Sequence, residues 1–293
     1  MSDLPLPDPT ETHALDIQHD TDPEHDHGIA HRIPHLGHAL LFFAITAFAL
    51  LFAAVFIYAF AHVHTQAAVL AHPGFALMAQ GAGYAAAFAI SFWVFPLIWH
   101  RGFFAGVHWN ASVAKRHWLK IVVTGILVSI AAQLAINFVS SPEKAPIDQI
   151  MGNAHIIWYM ALFAVLIGPF MEELAFRGFL LPALATAYDW LALERTPAGL
   201  DRWQRSTAHS TPALIFSAII SSVPFALLHA AQIGYAWGVV CILYGVSLAL
   251  SLVRIRTQSL ACSTLMHATY NGFIFVLLFI SSSGFRHLDK IGR

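Results

Sequence analysis

A chain of 293 residues that is 58% hydrophobic and only 11% charged, with a mean hydropathy of +0.65, lies outside the usage of soluble globular domains and reads as an integral membrane protein. Its net charge of −1 hides two unlike parts: residues 1–38 hold half of the 16 Asp and Glu but one Arg, and the remainder is basic. A nucleic-acid binder is excluded because no basic stripe lies outside the loops between apolar runs. A disulfide-stapled secreted domain is excluded because both cysteines, Cys241 and Cys262, sit within such runs, where a thiol behaves as a small hydrophobe.

In chain order, the first element is the acidic segment 1–38, in which histidines alternate with aspartates as in His25-Asp26-His27. It lacks the apolar content to fold, so a disordered, solvated tail is expected, with weak zinc or nickel binding as the alternative. The apolar run behind it follows acids rather than a short basic stretch, which predicts a retained anchor and not a cleavable signal. A bilayer core about 30 Å thick needs roughly 20 apolar residues at helical rise. Seven runs approach that length, at about 39–61, 75–99, 121–139, 155–188, 213–231, 235–253 and 260–280. The expected fold is all-α, a polytopic transmembrane bundle of about seven to eight spanning helices. Residues 39–153 form its N-terminal part, 154–281 the part that holds the chemistry, and 282–293 a C-terminal tail. Between the second and third runs, Gly102 to Trp118 reads as an interfacial amphipathic helix. The fourth run contains Pro169, Gly178 and Pro182, which predict a kink or break. Lys and Arg gather in the loops near 100–120, 191–212 and 254–256, all on one face, which places that face and the N-terminus in the cytoplasm. The same count of seven exports a C-terminal segment bearing Arg286, Lys290 and Arg293, against that rule.

Ionisable groups inside a bilayer are expensive and are functional candidates by default. Within the seven runs the charged side chains are Glu172, Glu173 and Arg177, and the histidines away from the run ends are His229 and His267. Glu173 and Arg177 are i and i+4 on one helix face and can neutralise each other. Glu172, rotated about 100° away, lacks that partner and is expected to face a polar cavity. His267 and Asn271 repeat the i, i+4 spacing on the last run, as do Phe225 and His229 on the fifth. A carboxylate, two imidazoles and a carboxamide suit proton transfer and the stabilisation of a developing oxyanion. A metal transporter is the first rival reading, although it calls for acids on several helices. The second is a non-catalytic membrane scaffold or self-immunity regulator.

Three ordered motifs resemble the CAAX protease and bacteriocin-processing family, also called the Abi family: Glu172-Glu173-Leu174-Ala175-Phe176-Arg177 as its EExxxR, Phe225 to His229 as its FxxxH, and His267 to Asn271 as its HxxxN. The string Arg256-Thr257-Gln258-Ser259-Leu260 resembles its RTGSL stretch, with Gln258 in place of the glycine. The resemblance covers about 155–280. It implies an intramembrane endopeptidase in which Glu172 activates water with help from His229, His267 and Asn271 stabilise the oxyanion, and Glu173, Arg177 and Phe225 support them. It further implies a peptide or membrane-protein substrate, no cofactor, and a bacterial inner (plasma) membrane location. The zinc alternative would use Glu172, His229 and His267 as ligands. Asn271 favours the metal-free form, because a carboxamide is a poor zinc ligand and a good hydrogen-bond donor to an oxyanion.

Overall fold

The computed structural model describes residues 32–63, 72–140 and 156–288, together with 65, 68 and 146. Most of the His/Asp tail, residues 1–31, lies outside the described residues, as do Lys290 and Arg293. The described residues are helical, with no strand among them. The helices are α1 (Leu36–Phe60), α2 (Pro73–Trp99), the single turn α3 (Phe103–Gly106), α4 (Ala111–Ile136), α5 (Ile157–Leu191), α6 (Pro197–Arg205), α7 (Thr211–Leu228), α8 (Trp237–Thr257) and α9 (Leu260–Ser281). Seven of them, all but α3 and α6, are long and apolar enough to cross a membrane.

Several boundaries differ from the sequence expectation, and each has a local cause. Helix α1 starts at Leu36 because His35 caps it: its ring accepts from the Gly37 amide, and the His38 ring accepts from the His35 amide. The expected interfacial helix over 102–118 is instead α3 followed by the first turns of α4. Asn110 divides the two, its side-chain oxygen accepting from the Val113 amide at the new N-terminus. Helix α8 runs on to Thr257, so Arg254, expected in a loop, lies in its last turn and is 5% exposed. Helix α5 does not break. Two π-helical stretches, Phe163–Ile167 and Leu174–Leu180, lie just before Pro169 and Pro182. A proline lacks the N–H for the preceding turn and its ring crowds that turn's carbonyl, and the wider π turn relieves both.

Small residues set the helix spacing. On α2, Ala79, Gly83, Ala87 and Ser91 recur every fourth residue and are buried, the small-xxx-small pattern by which membrane helices approach closely. A Cβ at Gly83 would stand 2.8 Å from the Leu50 Cα on α1. Gly125 of α4 similarly faces the Met266 carbonyl of α9, next to a bond from Ser129 Oγ to the Tyr270 carbonyl. Gly83→Val is therefore expected to cost about 1–3 kcal/mol as an overpacked contact. Gly102→Ala, where an added Cβ meets nothing within 4 Å, should leave thermal unfolding in detergent unchanged.

Contacts at the helix ends place the basic loops together. Arg32 stacks 3.6 Å over the Trp203 ring and donates to the carbonyls of Trp203 and Ser206. The Leu260 amide donates to the His108 carbonyl, and Ser259 Oγ to that of Asn110. The segment before α1, the α3–α4 region, α6 and the α8–α9 turn thus share one end of the bundle. Phe285, beyond α9, packs on Trp158 at the start of α5, at the other end. In the α8–α9 turn Gln258 is left-handed, with φ of 51°. That conformation favours glycine, the residue that the resembling RTGSL stretch carries at this position. Here the Gln258 side-chain Nε2 donates to the Ile255 carbonyl and closes the helix end instead.

His209 and Ser210 fasten α7 to the foot of α5 through Asp189: His209 Nδ1 lies 3.1 Å from Oδ2, and Ser210 Oγ donates to Oδ1 at 2.6 Å. Burial holds the His209 imidazole below its ordinary range, against the raising pull of Asp189 and with a further push down from Arg32 and Arg254. Because the folded state favours the neutral ring, this contribution to stability is complete above the ordinary value of about 6.5. It is lost as pH falls toward the lowered one. Melting temperature should therefore drop between pH 7 and 5, and drop less in His209→Gln.

Candidate active site

Glu172 and Glu173 stand on α5 immediately before its second π stretch, and their surroundings separate them as their spacing predicts. Glu173 is fully buried and Glu172 is 22% exposed. Arg177, also fully buried, donates from Nη1 to Glu173 Oε1 at 2.8 Å, from Nη2 to the Ser247 carbonyl at 2.7 Å and its hydroxyl at 2.6 Å, and from Nε to Ser251 Oγ at 3.3 Å. The Phe225 ring lies 4.6 Å beneath the guanidinium. The buried cation therefore has an anion, a carbonyl, two hydroxyls and an aromatic face.

Glu173 does more than neutralise Arg177. Its Oε1 also lies 3.0 Å from His267 Nδ1, so one oxygen of α5 holds both Arg177 and an imidazole of α9. The tautomer of His267 that donates to this oxygen carries its proton on Nδ1 and leaves Nε2 without one. His229 reaches the same state by another route. It follows the last residue of α7, where helix carbonyls lack partners, and its Nδ1 donates to the Phe225 carbonyl at 2.9 Å. Its Nε2 is then bare as well.

Both bare nitrogens face the remaining carboxylate. Glu172 Oε2 is 3.9 Å from His229 Nε2 and 3.8 Å from His267 Nε2. These separations exceed a hydrogen bond. Three acceptors converging on one spot call for a donor between them, and a water with two protons to give has that chemistry. Phe225 is the common floor, its ring centroid 5.1 Å from His229 and 5.7 Å from His267.

Asn271, one turn beyond His267, donates from Nδ2 to the Ala164 carbonyl at 2.7 Å. Ala164 lies in the first π stretch of α5, so the carboxamide ties that stretch to α9 and keeps a second N–H for another acceptor. The structure thus brings Glu172, Glu173, Arg177, Phe225, His229 and His267 into contact, with Asn271 one turn away. Sequence reasoning missed Ser247 and Ser251, whose signal was two serines at i, i+4 on an apolar run. No set of three His, Cys, Asp or Glu among the described residues is arranged to hold a metal ion. Tetrahedral zinc with bonds near 2.1 Å brings ligand atoms to about 3.4 Å from each other, closer than the separations around Glu172.

The depth of His229 is explained by uneven helix ends. At 1.5 Å per residue, His229 is about 27 Å from the start of α7, and His267 about 10 Å from the start of α9. They meet although their helices begin at unlike distances from the site, α7 carrying Pro224 inside it.

A helical bundle with seven helices long and apolar enough to span a membrane thus gathers a carboxylate and two imidazoles at one place. Residues 154–273 match the family model described as type II CAAX prenyl endopeptidase Rce1-like, the segment that supplies all the side chains above. All three motifs read from the sequence fall within that segment, which is similar to CAAX-type proteases. No curated protein and no solved structure matched the chain.

Proposed function

We propose that the chain is an intramembrane glutamate endopeptidase that cleaves a peptide bond of a hydrophobic or lipidated, membrane-associated substrate. The observation that carries this reading is the position of Glu172 Oε2, 3.9 Å and 3.8 Å from the Nε2 atoms of His229 and His267, whose Nδ1 atoms are each engaged elsewhere. A water held there donates its protons to Glu172 and one Nε2, leaving a lone pair for the carbonyl carbon. As its oxygen bonds to that carbon, its proton passes to Glu172 with His229 assisting. The oxyanion is met by the free N–H of Asn271 and by His267, whose Nε2 takes a proton from bulk water as the negative charge develops and gives it back when the charge is lost, Glu173 stabilising the cation meanwhile. Collapse breaks the C–N bond, and the proton returns to the leaving amine.

The mechanism is metal-free. The ligand separations support this, as does a carboxamide in the donor set. Metal content and insensitivity to chelators of protein lacking residues 1–31 test it. The basic loops favour a cytoplasmic N-terminus in a bacterial inner membrane. An apolar groove of about 470 Å³ between α2 and the start of α5, lined by Leu77, Met78, Tyr159, Leu162, Phe163 and Ile167, favours a hydrophobic substrate. It lies next to the carboxylate: a Cβ on Gly168 would be 3.8 Å from both Phe163 Cε1 and Glu172 Oε1. Comparison of membrane-protein termini between cells carrying wild type and Glu172→Ala should reveal peptides that vanish in the variant. Identical termini, with both proteins folded, would favour a scaffold.

A further inference from the structure

Arg254 is the one guanidinium of α8 turned into the protein, and it is left without an anion. Its residue is 5% exposed, its Nε is enclosed with no hydrogen-bond partner, and no hydrogen bond or ion pair reaches it among the described residues. The acid that acts on it, Glu173, divides Oε1 between Arg177 and His267, and its enclosed Oε2 makes no hydrogen bond to Arg254. The groups around it are bases: His108 is within electrostatic range of Arg254, His209 and Arg101, and His209 of Arg254 and Arg32. The acid of this cluster, Asp189, is occupied by His209 and Ser210. A buried, unpaired guanidinium is among the most costly groups a fold can carry, and such groups are held by an anion.

The place narrows the anion. Arg254 stands in the last turn of α8, beside the His108–Leu260 contact and at the end of the bundle where Arg32 precedes α1. Indoles mark this end too, with Trp203 under Arg32 and Trp99 at the end of α2, both Nε1 groups enclosed without partners. Basic residues, tryptophans and helix ends define the headgroup layer. A guanidinium fork suits the two free oxygens of a phosphodiester.

We infer that Arg254 forms a binding site for a phosphate group, that of an anionic phospholipid at this end of the bundle. Arg254 makes no hydrogen bond to the hydrolytic residues, and the test reads no hydrolysis.

Thermal unfolding of the full chain in neutral detergent with phosphatidylcholine is followed as phosphatidylglycerol is added, and separately as inorganic phosphate replaces chloride at matched ionic strength. Phosphatidylglycerol should raise the wild-type melting temperature by several degrees in a saturable manner. Arg254→Met should lose that rise and, without anionic lipid, melt no lower than wild type, because an unpaired buried charge has been removed. A phosphate-only response assigns the site to free phosphate. The inference is overturned if neither anion shifts wild type, or if Arg254→Met responds as wild type does. Should that variant fail to fold, Arg254→Lys serves, with at least tenfold weaker dependence on phosphatidylglycerol expected and an unchanged dependence contradicting the site.

Discussion

Glu172→Gln is expected to lower peptide hydrolysis about 10²–10⁴-fold, the contribution of a positioned general base, while the protein folds normally. The carboxamide keeps the size and a hydrogen-bonding oxygen, but it cannot take the proton of the attacking water. Its amide N–H would also point at the bare nitrogens of His229 and His267 and fill the space between them. Because Glu172 is partly exposed and holds no structural partner, thermal unfolding should change little. Single-turnover cleavage of a fluorogenic hydrophobic peptide in vesicles, read beside a melting curve, separates the two effects. A variant that melts as wild type and cleaves at the wild-type rate would remove the base from the mechanism.

Arg177→Met should have the largest effect on stability, about 3–5 kcal/mol. The loss comes less from the bonds removed than from what remains: Glu173 as a buried carboxylate without its cation, and the oxygens of Ser247 and Ser251 without their donor. Glu173 would then take a proton, His267 would lose the anion that supports its cationic state, and activity would fall with stability. Arg177→Lys should recover part of the loss, since an ammonium can reach Glu173 but cannot serve both serines at once. Melting in detergent checks the ranking, with wild type above Lys and Lys above Met.

The sequence spoke clearly where relations are local. Spacing along one helix separated Glu172 from the Glu173–Arg177 pair, and apolar length identified seven spans. It was silent where the relation crosses helices. Nothing in the spacing shows that Glu173 holds His267, that Asn271 reaches Ala164, or that Ser247 and Ser251 meet Arg177, because those contacts depend on the relative height of α5, α8 and α9. The helix ends were misread for a related reason. An apolar run marks what lipid requires, whereas a helix continues while its backbone bonds are satisfied, and so α4 starts at its Asn110 cap and α8 carries Arg254 inward. The π stretches beside Pro169 and Pro182 were legible only as a kink.

A kinetic double-mutant cycle of Glu172→Gln and His267→Ala tests most directly whether these groups work on one water. If they do, either change alone removes nearly all of the catalysis, and the double variant is about as slow as the slower single one. Rate losses that multiply would show the two side chains acting independently and would contradict the shared site.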